Sequence, residues 1–233
     1  MQKSLRSLLV ATVAVLGLAA CSDDDDNGPT AATPTALVRV VHASPDAPNV
    51  DVAVDGSIAL ANVPFPVFSG YLEVPSGTRN VQVRPTGSQT AVIEADLALA
   101  TGTSYTVFAT GLVADISAVV AVDDLVAPTA GNVKVRVVHG APSAPNVDVY
   151  ATAPGADINT ATPVLTNVPF RGVSDYLTVP AGQYQFRVTP TGTKTVAIDL
   201  TVTLNTNSIR TVVARDNVGG GTPFALFLLP DLN

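Results

Sequence analysis

Cysteine is almost missing from this chain. Cys21 stands alone, so no disulfide can close within it. Tryptophan is absent and only two histidines occur, which is thin material for catalysis. Charged residues make up 13% of the sequence, about half the usual share of roughly 25%. With 47% hydrophobic residues, that composition excludes a highly charged, disordered chain. The net charge of −7 comes from 12 basic against 19 acidic residues, and four of the acids form one run, Asp23 to Asp26. No basic face can be assembled, which argues against nucleic acid as a partner. Beyond the N-terminal segment, no run shows helical spacing with caps.

What is present begins with an address. "MQKSLRSLLVATVAVLGLAAC" places Lys3 and Arg6 before an unbroken apolar run, Leu8 to Ala20. That run is too short for a spanning helix, which needs about 20 residues, and suits a signal peptide. The ending "LAAC" resembles a bacterial lipobox, which implies lipidation of Cys21 and a membrane anchor for the mature chain. "SDDDDNGPTAATPT" follows, Ser22 to Thr35, and reads as an extended, solvated tether. Ser22 after the cysteine resembles an outer-membrane sorting signal. With the acids it also resembles the tag that sends some bacterial lipoproteins to the outer face.

Beyond the tether the chain repeats itself. "VRVVHASPDAPNVDV" from Val38 returns as "VRVVHGAPSAPNVDV" from Val135. "NVPF" at Asn62 returns at Asn167, "YLEVPSG" at Tyr71 as "YLTVPAG" at Tyr176, and "VRPTG" at Val83 as "VTPTG" at Val188. A short insertion around Ala151 to Pro163 separates the registers. The period, about 100 residues, is domain-sized rather than the roughly 20–50 of a solenoid unit. The expected organisation is a signal peptide over 1–20, lipidated Cys21 and tether over 21–36, one repeat over 37–126, a linker over 127–132 and a second repeat over 133–233.

Inside each copy the pattern is β. Apolar and polar residues alternate, as in Val81, Gln82, Val83, Arg84, and Gly and Pro punctuate at short intervals. The expectation is an all-β chain of two tandem antiparallel β-sandwiches, immunoglobulin-like or transthyretin-like. The duplicated string "VRVVHASPDAPNVDV…NVPF…YLEVPSG…VQVRPTG" resembles the bacterial family called domain of unknown function 4397. That resemblance covers nearly all of the mature chain. It implies extracytoplasmic, often lipid-anchored proteins, and no activity or site residues.

As a strand, "VRVVH" puts Val38, Val40 and His42 on one face and Arg39 and Val41 on the other. Pro45 and Pro48 make the following stretch a turn. If the flanking strands form a hairpin, Arg39 falls beside Asp51 on the outer face, and Arg136 beside Asp148. Each histidine is expected to close the edge of the core, one ring nitrogen bonding the backbone of the proline turn. The competing reading makes His42 and His139 metal ligands, with Asp46 and Asn49. Against it, Asp46 becomes Ser143 in the second copy, and one histidine per domain is too few for zinc. Calcium would need a denser cluster of oxygen ligands.

Other candidates are weaker. Ser44, Asp46 and His42 lack a nucleophile elbow. "GGGTP", Gly219 to Pro223, lacks the Lys-Ser/Thr of a phosphate loop and reads as a turn. Asp123 and Asp124 read as a solvated strand end, with Asp231 their one counterpart. "FALFLLP", Phe224 to Pro230, is apolar on both faces and is expected to lie against the other domain. The function read from this is a non-enzymatic cell-envelope lipoprotein, without cofactor, presenting tandem binding or spacer modules to an envelope protein or polysaccharide. The alternative is a periplasmic ligand- or metal-binding sensor with a site between the domains. The position of the insertion discriminates: at the junction it favours a ligand cleft, at the far end it favours adhesion.

Overall fold

A computed structural model describes residues 32–232. The signal peptide, Cys21 and nearly all of the tether lie outside the described residues. The first repeat holds β1 (Thr35–Ala43), β2 (Val50–Val54), β3 (Ser57–Val63), β4 (Leu72–Pro75), β5 (Gly77–Pro85), β6 (Ile93–Leu99), β7 (Ser104–Thr110) and β8 (Ser117–Asp123). The second repeats the order with β9 (Asn132–His139), β10 (Val147–Thr152), β11 (Leu165–Val168), β12 (Leu177–Pro180), β13 (Gly182–Pro190), β14 (Ile198–Leu204), β15 (Ile209–Arg215) and β16 (Ala225–Leu232). One 3-10 turn, Val113–Asp115, precedes β8.

Each repeat is a sandwich of two four-stranded sheets. The first pairs β4-β1-β7-β8 with β3-β2-β5-β6, and the second pairs β12-β9-β15-β16 with β11-β10-β13-β14. The all-β sandwich reading is borne out, with one refinement. β1 and β7 run parallel, as do β9 and β15, so each first-named sheet is mixed. Strands so far apart in sequence need no hairpin between them, so nothing forces them to be antiparallel.

The two copies pack as the same structure twice. In the first, Val40 from β1 meets Val50, Val52, Val81, Val83 and Ile93 from the opposite sheet. In the second, Val137 meets Val147, Val149, Val188 and Ile198. The strict alternation of these strands supplies both faces of the core.

A third cluster joins the copies. Val41, Phe108 and Ala121 from the sheet containing β1 pack with Val138, Val213 and Leu229 from the sheet containing β9. All six are buried. The four sheets therefore stack, with the mixed sheets innermost. Beyond residue 32 the chain forms one compact unit rather than two separable ones. Burial of each such Val, Leu or Phe contributes about 1.5–3 kcal/mol, so this shared core holds the copies face to face. β16 carries out its expected role. Phe227 and Leu229 face the first repeat, while Leu226 and Leu228 pack on the core of the second.

Candidate functional site

The repeated motif can now be assigned residue by residue. His42 ends β1 with no exposed surface, and His139 ends β9 in the same way. The Ser44 N–H donates to His42 Nδ1 at 3.4 Å, so Nε2 carries the proton and donates to the Pro48 carbonyl at 3.1 Å. His139 repeats this with the Ala141 N–H at 3.4 Å and the Pro145 carbonyl at 3.0 Å. The rings of Phe65 and Phe170 meet them edge-on at 6.1 Å. Burial lowers the pKa of both histidines, against the raising effect of these carbonyls. Each imidazole is a neutral staple across its proline turn, with both nitrogens engaged by backbone. Asp46 and Asn49, the other proposed ligands, are used elsewhere. Asp46 accepts the Val113 N–H at 2.8 Å, and Asn49 donates to Asn62 Oδ1 at 2.9 Å. No group of three or more His, Cys, Asp or Glu gathers among the described residues.

The hairpin pairing is corrected. β1 and β2 lie in different sheets, so Arg39 and Asp51 cannot be cross-strand neighbours, and Arg136 and Asp148 are parted likewise. Pro45 and Pro48 cannot continue a ladder, and the turn they make carries the chain across the sandwich. Val40 and Val50 do meet, through the core rather than along a sheet.

Asp51 instead clamps two turns. It accepts the Asn62 N–H at 2.8 Å, the Gly87 N–H at 3.2 Å and the Thr86 hydroxyl at 3.1 Å. Asp148 takes the N–H of Asn167 at 2.8 Å and of Gly192 at 2.9 Å. Asn62 and Asn167 have φ of 55° and 51°, and Gly87 and Gly192 have φ of 80° and 76°. Asn and Gly tolerate that left-handed region best. "NVD", "NVP" and "PTG" therefore recur together because one carboxylate holds both turns. The N–H donors of Asn62 and Gly87 lower the Asp51 pKa. Burial pushes the Asp148 carboxyl up, and the Asn167 and Gly192 N–H donors together with the Thr191 hydroxyl and Lys194 outweigh that, for a net lowering.

Arg39 and Arg136 face the junction between the repeats. Arg39 Nη2 lies 2.5 Å from Asp231 of the second copy, and Arg136 Nη2 lies 2.6 Å from Asp123 of the first. All four side chains are 2% exposed or less. Two threonines close the circuit. Arg39 donates to Thr106 Oγ1, which donates to Asp123 at 2.6 Å. Arg136 donates to Thr211 Oγ1, which donates to Asp231 at 2.6 Å. Six side chains thus form one closed ring, three in succession from each copy, and the two ion pairs cross between the copies. Tyr71 stacks on Arg39 at 4.8 Å and donates to Asp123, and Tyr176 stacks on Arg136 at 4.7 Å and donates to Asp231. Burial, followed by the carboxylates, raises the pKa of both tyrosines well above the usual phenol value.

Asp123 and Asp231 are accordingly not solvated turn residues. Only Asp124 is exposed, where it meets Lys134 at 2.5 Å. At the far side of the junction, Arg171 of the second copy meets Asp115 of the first. The glycine loop is a turn, as expected, and the Gly219 N–H reaches the Pro45 carbonyl of the other copy at 2.7 Å.

One open groove lies at the rim of this junction. About 480 Å³ in volume, it runs along the outer edge of β8, floored by Val120, Val122 and Val173 and walled by Ser174, Asp175 and Tyr176. The insertion lies elsewhere. It joins β10 to β11 in the outermost sheet, where Lys194 ties down the carbonyls of Ile158 and Ala161.

Sequence reasoning missed the ring because an arginine alternating with valines looks like a solvent-facing residue. The available signal was that Arg, Thr, Asp and Tyr recur together in both copies.

A family model described as "Domain of unknown function (DUF4397)" matches residues 36–150 and 151–233. The break in that match falls inside β10, whereas the sheets divide between β8 and β9. Among curated proteins, none matches. Solved structures give slight similarities. An α-glucan-recognising family 41 carbohydrate-binding module from streptococcal virulence factors aligns at 12% identity and a TM-score of 0.28, over 82% of this chain and 96% of its own. A family 26 module from Eubacterium rectale Amy13K, solved with maltoheptaose, aligns at 9% and 0.28, over 84% and 98%. The Bacillus anthracis TIE protein aligns at 11% and 0.26, over 79% of this chain and 34% of its own. Similarities this slight transfer neither ligand nor activity.

Proposed function

The chain belongs to the family of the domain of unknown function DUF4397, and from that premise we propose that it is a non-enzymatic envelope lipoprotein whose two fused β-sandwiches act as one rigid binding or spacer module. The lipobox-like "LAAC" and the acidic tether support anchoring at the outer membrane and presentation outside it. The observation that carries the reading is the junction. A ligand site buried between the repeats would need the space that the valine cluster and the six-membered polar ring fill, which leaves only the rim groove open there among the described residues. The insertion sits on the outermost sheet, away from that junction, which favours contacts made by the outer loops and edges. The histidines, tyrosines and carboxylates of the motif have their protons and lone pairs committed to structural bonds, which suits a non-catalytic role.

Protease treatment of intact cells tests presentation, and metabolic labelling with a radioactive fatty acid tests the anchor. The expected result is a labelled chain cleaved from outside, with label lost in Cys21→Ser. A chain protected until the outer membrane is opened would place the module in the periplasm and overturn the surface reading.

A further inference from the structure

β8 is the outer strand of its sheet, and its edge is open. The Val122 carbonyl accepts Arg136 Nη1 at 3.1 Å from outside the sheet, which fixes the direction of this edge. Backbone groups alternate along a strand, so the N–H of Val122 and both the N–H and C=O of Val120 point the same way. The Val120 and Val122 side chains are 42% and 62% exposed.

The second copy supplies an internal comparison. Its Pro230 takes the place of Val122, its carbonyl accepting Arg39 Nη1 at 3.1 Å. Proline has no N–H to offer, a common device for blocking a sheet edge. At this edge the second copy therefore lacks a donor that the first copy keeps. Beside the open edge lies the groove described above, which has room for a few extended residues. Its wall holds the exposed carboxylate of Asp175, which meets no cation in an ion pair among the described residues.

We propose that β8 and this groove receive an extended polypeptide segment as an added strand, with apolar side chains on Val120 and Val122 and a lysine or arginine beside Asp175. Main-chain bonds supply affinity in this mode, and alternate side chains supply specificity. The acidic wall selects the cationic residue. This deepens the binding reading above and rests on it.

The test uses the full chain in detergent micelles and a labelled, end-blocked heptapeptide alternating lysine and valine, followed by fluorescence anisotropy. Saturable binding is expected. Val122→Pro copies the residue of the second repeat, keeps the carbonyl for Arg136, and should weaken binding at least tenfold with an unchanged melting temperature. Asp175→Asn should weaken it several-fold, and a glutamate–valine heptapeptide should not bind. Binding unaffected by Val122→Pro, or no saturable binding, overturns the proposal. So does a dimer in sedimentation that Val122→Pro converts to monomer, since a second copy would then be the occupant. None of these outcomes bears on cell-surface cleavage, so failure here is separable from failure of the presentation reading.

Discussion

Asp231→Ala is the sharpest perturbation of the junction. It removes the carboxylate 2.5 Å from Arg39 and leaves a guanidinium that is 2% exposed without its counter-charge. Breaking a buried ion pair from one side costs about 3–5 kcal/mol, because the remaining charge stays out of water. Thr211 and Tyr176 also lose their acceptor, which places the expected loss in the upper half of that range. For a chain of this size each kcal/mol moves the melting temperature by about 2–4 °C, so a fall of roughly 8–20 °C is expected. Thermal and urea unfolding followed by circular dichroism would measure it. Asp115→Asn is the control, because that inter-repeat pair is exposed and should leave the melting temperature within error. Adding Arg39→Met to Asp231→Leu should recover part of the loss, since an apolar pair leaves no stranded charge. A loss below about 1 kcal/mol for Asp231→Ala would refute the reading of the ring as a buried, fully paired circuit that stabilises the junction beside the apolar core.

Further outcomes follow from the same geometry. Because burial lowers both histidine pKa values, the unfolded chain takes up protons first as pH falls below 6.5. Stability should be full above that pH and decline below it, and His42→Gln with His139→Gln should flatten the decline in a melting-temperature series. The Asp51 and Asp148 clamps, whose pKa values are lowered, should fail only later, below about pH 3.8. In a spectrophotometric titration at alkaline pH, Tyr71 and Tyr176 should stay un-ionised after the exposed phenols have titrated. Phe108→Ala, in the shared core, should cost about 3–5 kcal/mol by chemical denaturation.

Sandwich architecture, the duplication and the role of the histidines were legible in the sequence because each leaves a local trace. Val40 and His42 share a face by simple alternation, and Pro45 and Pro48 announce a turn. Which strands that turn joins was not legible. A proline turn can close a hairpin or cross between sheets, and only the long-range pairing of β1 with β4 and β7 decides between them. Arg39 was misplaced for the same reason. Its face looks solvent-bound within one repeat and becomes interior only when the second copy covers it. The double-faced apolarity of Phe224 to Pro230 was the one sequence feature that registered that covering.

Differential scanning calorimetry of the intact chain tests the central claim, that the two copies form a single rigid body. About 200 residues unfolding together should absorb roughly 140 kcal/mol near 60 °C in one transition, with calorimetric and van't Hoff enthalpies equal. Two resolved transitions, or a van't Hoff enthalpy near half the calorimetric value, would show that the repeats fold independently and would contradict the account.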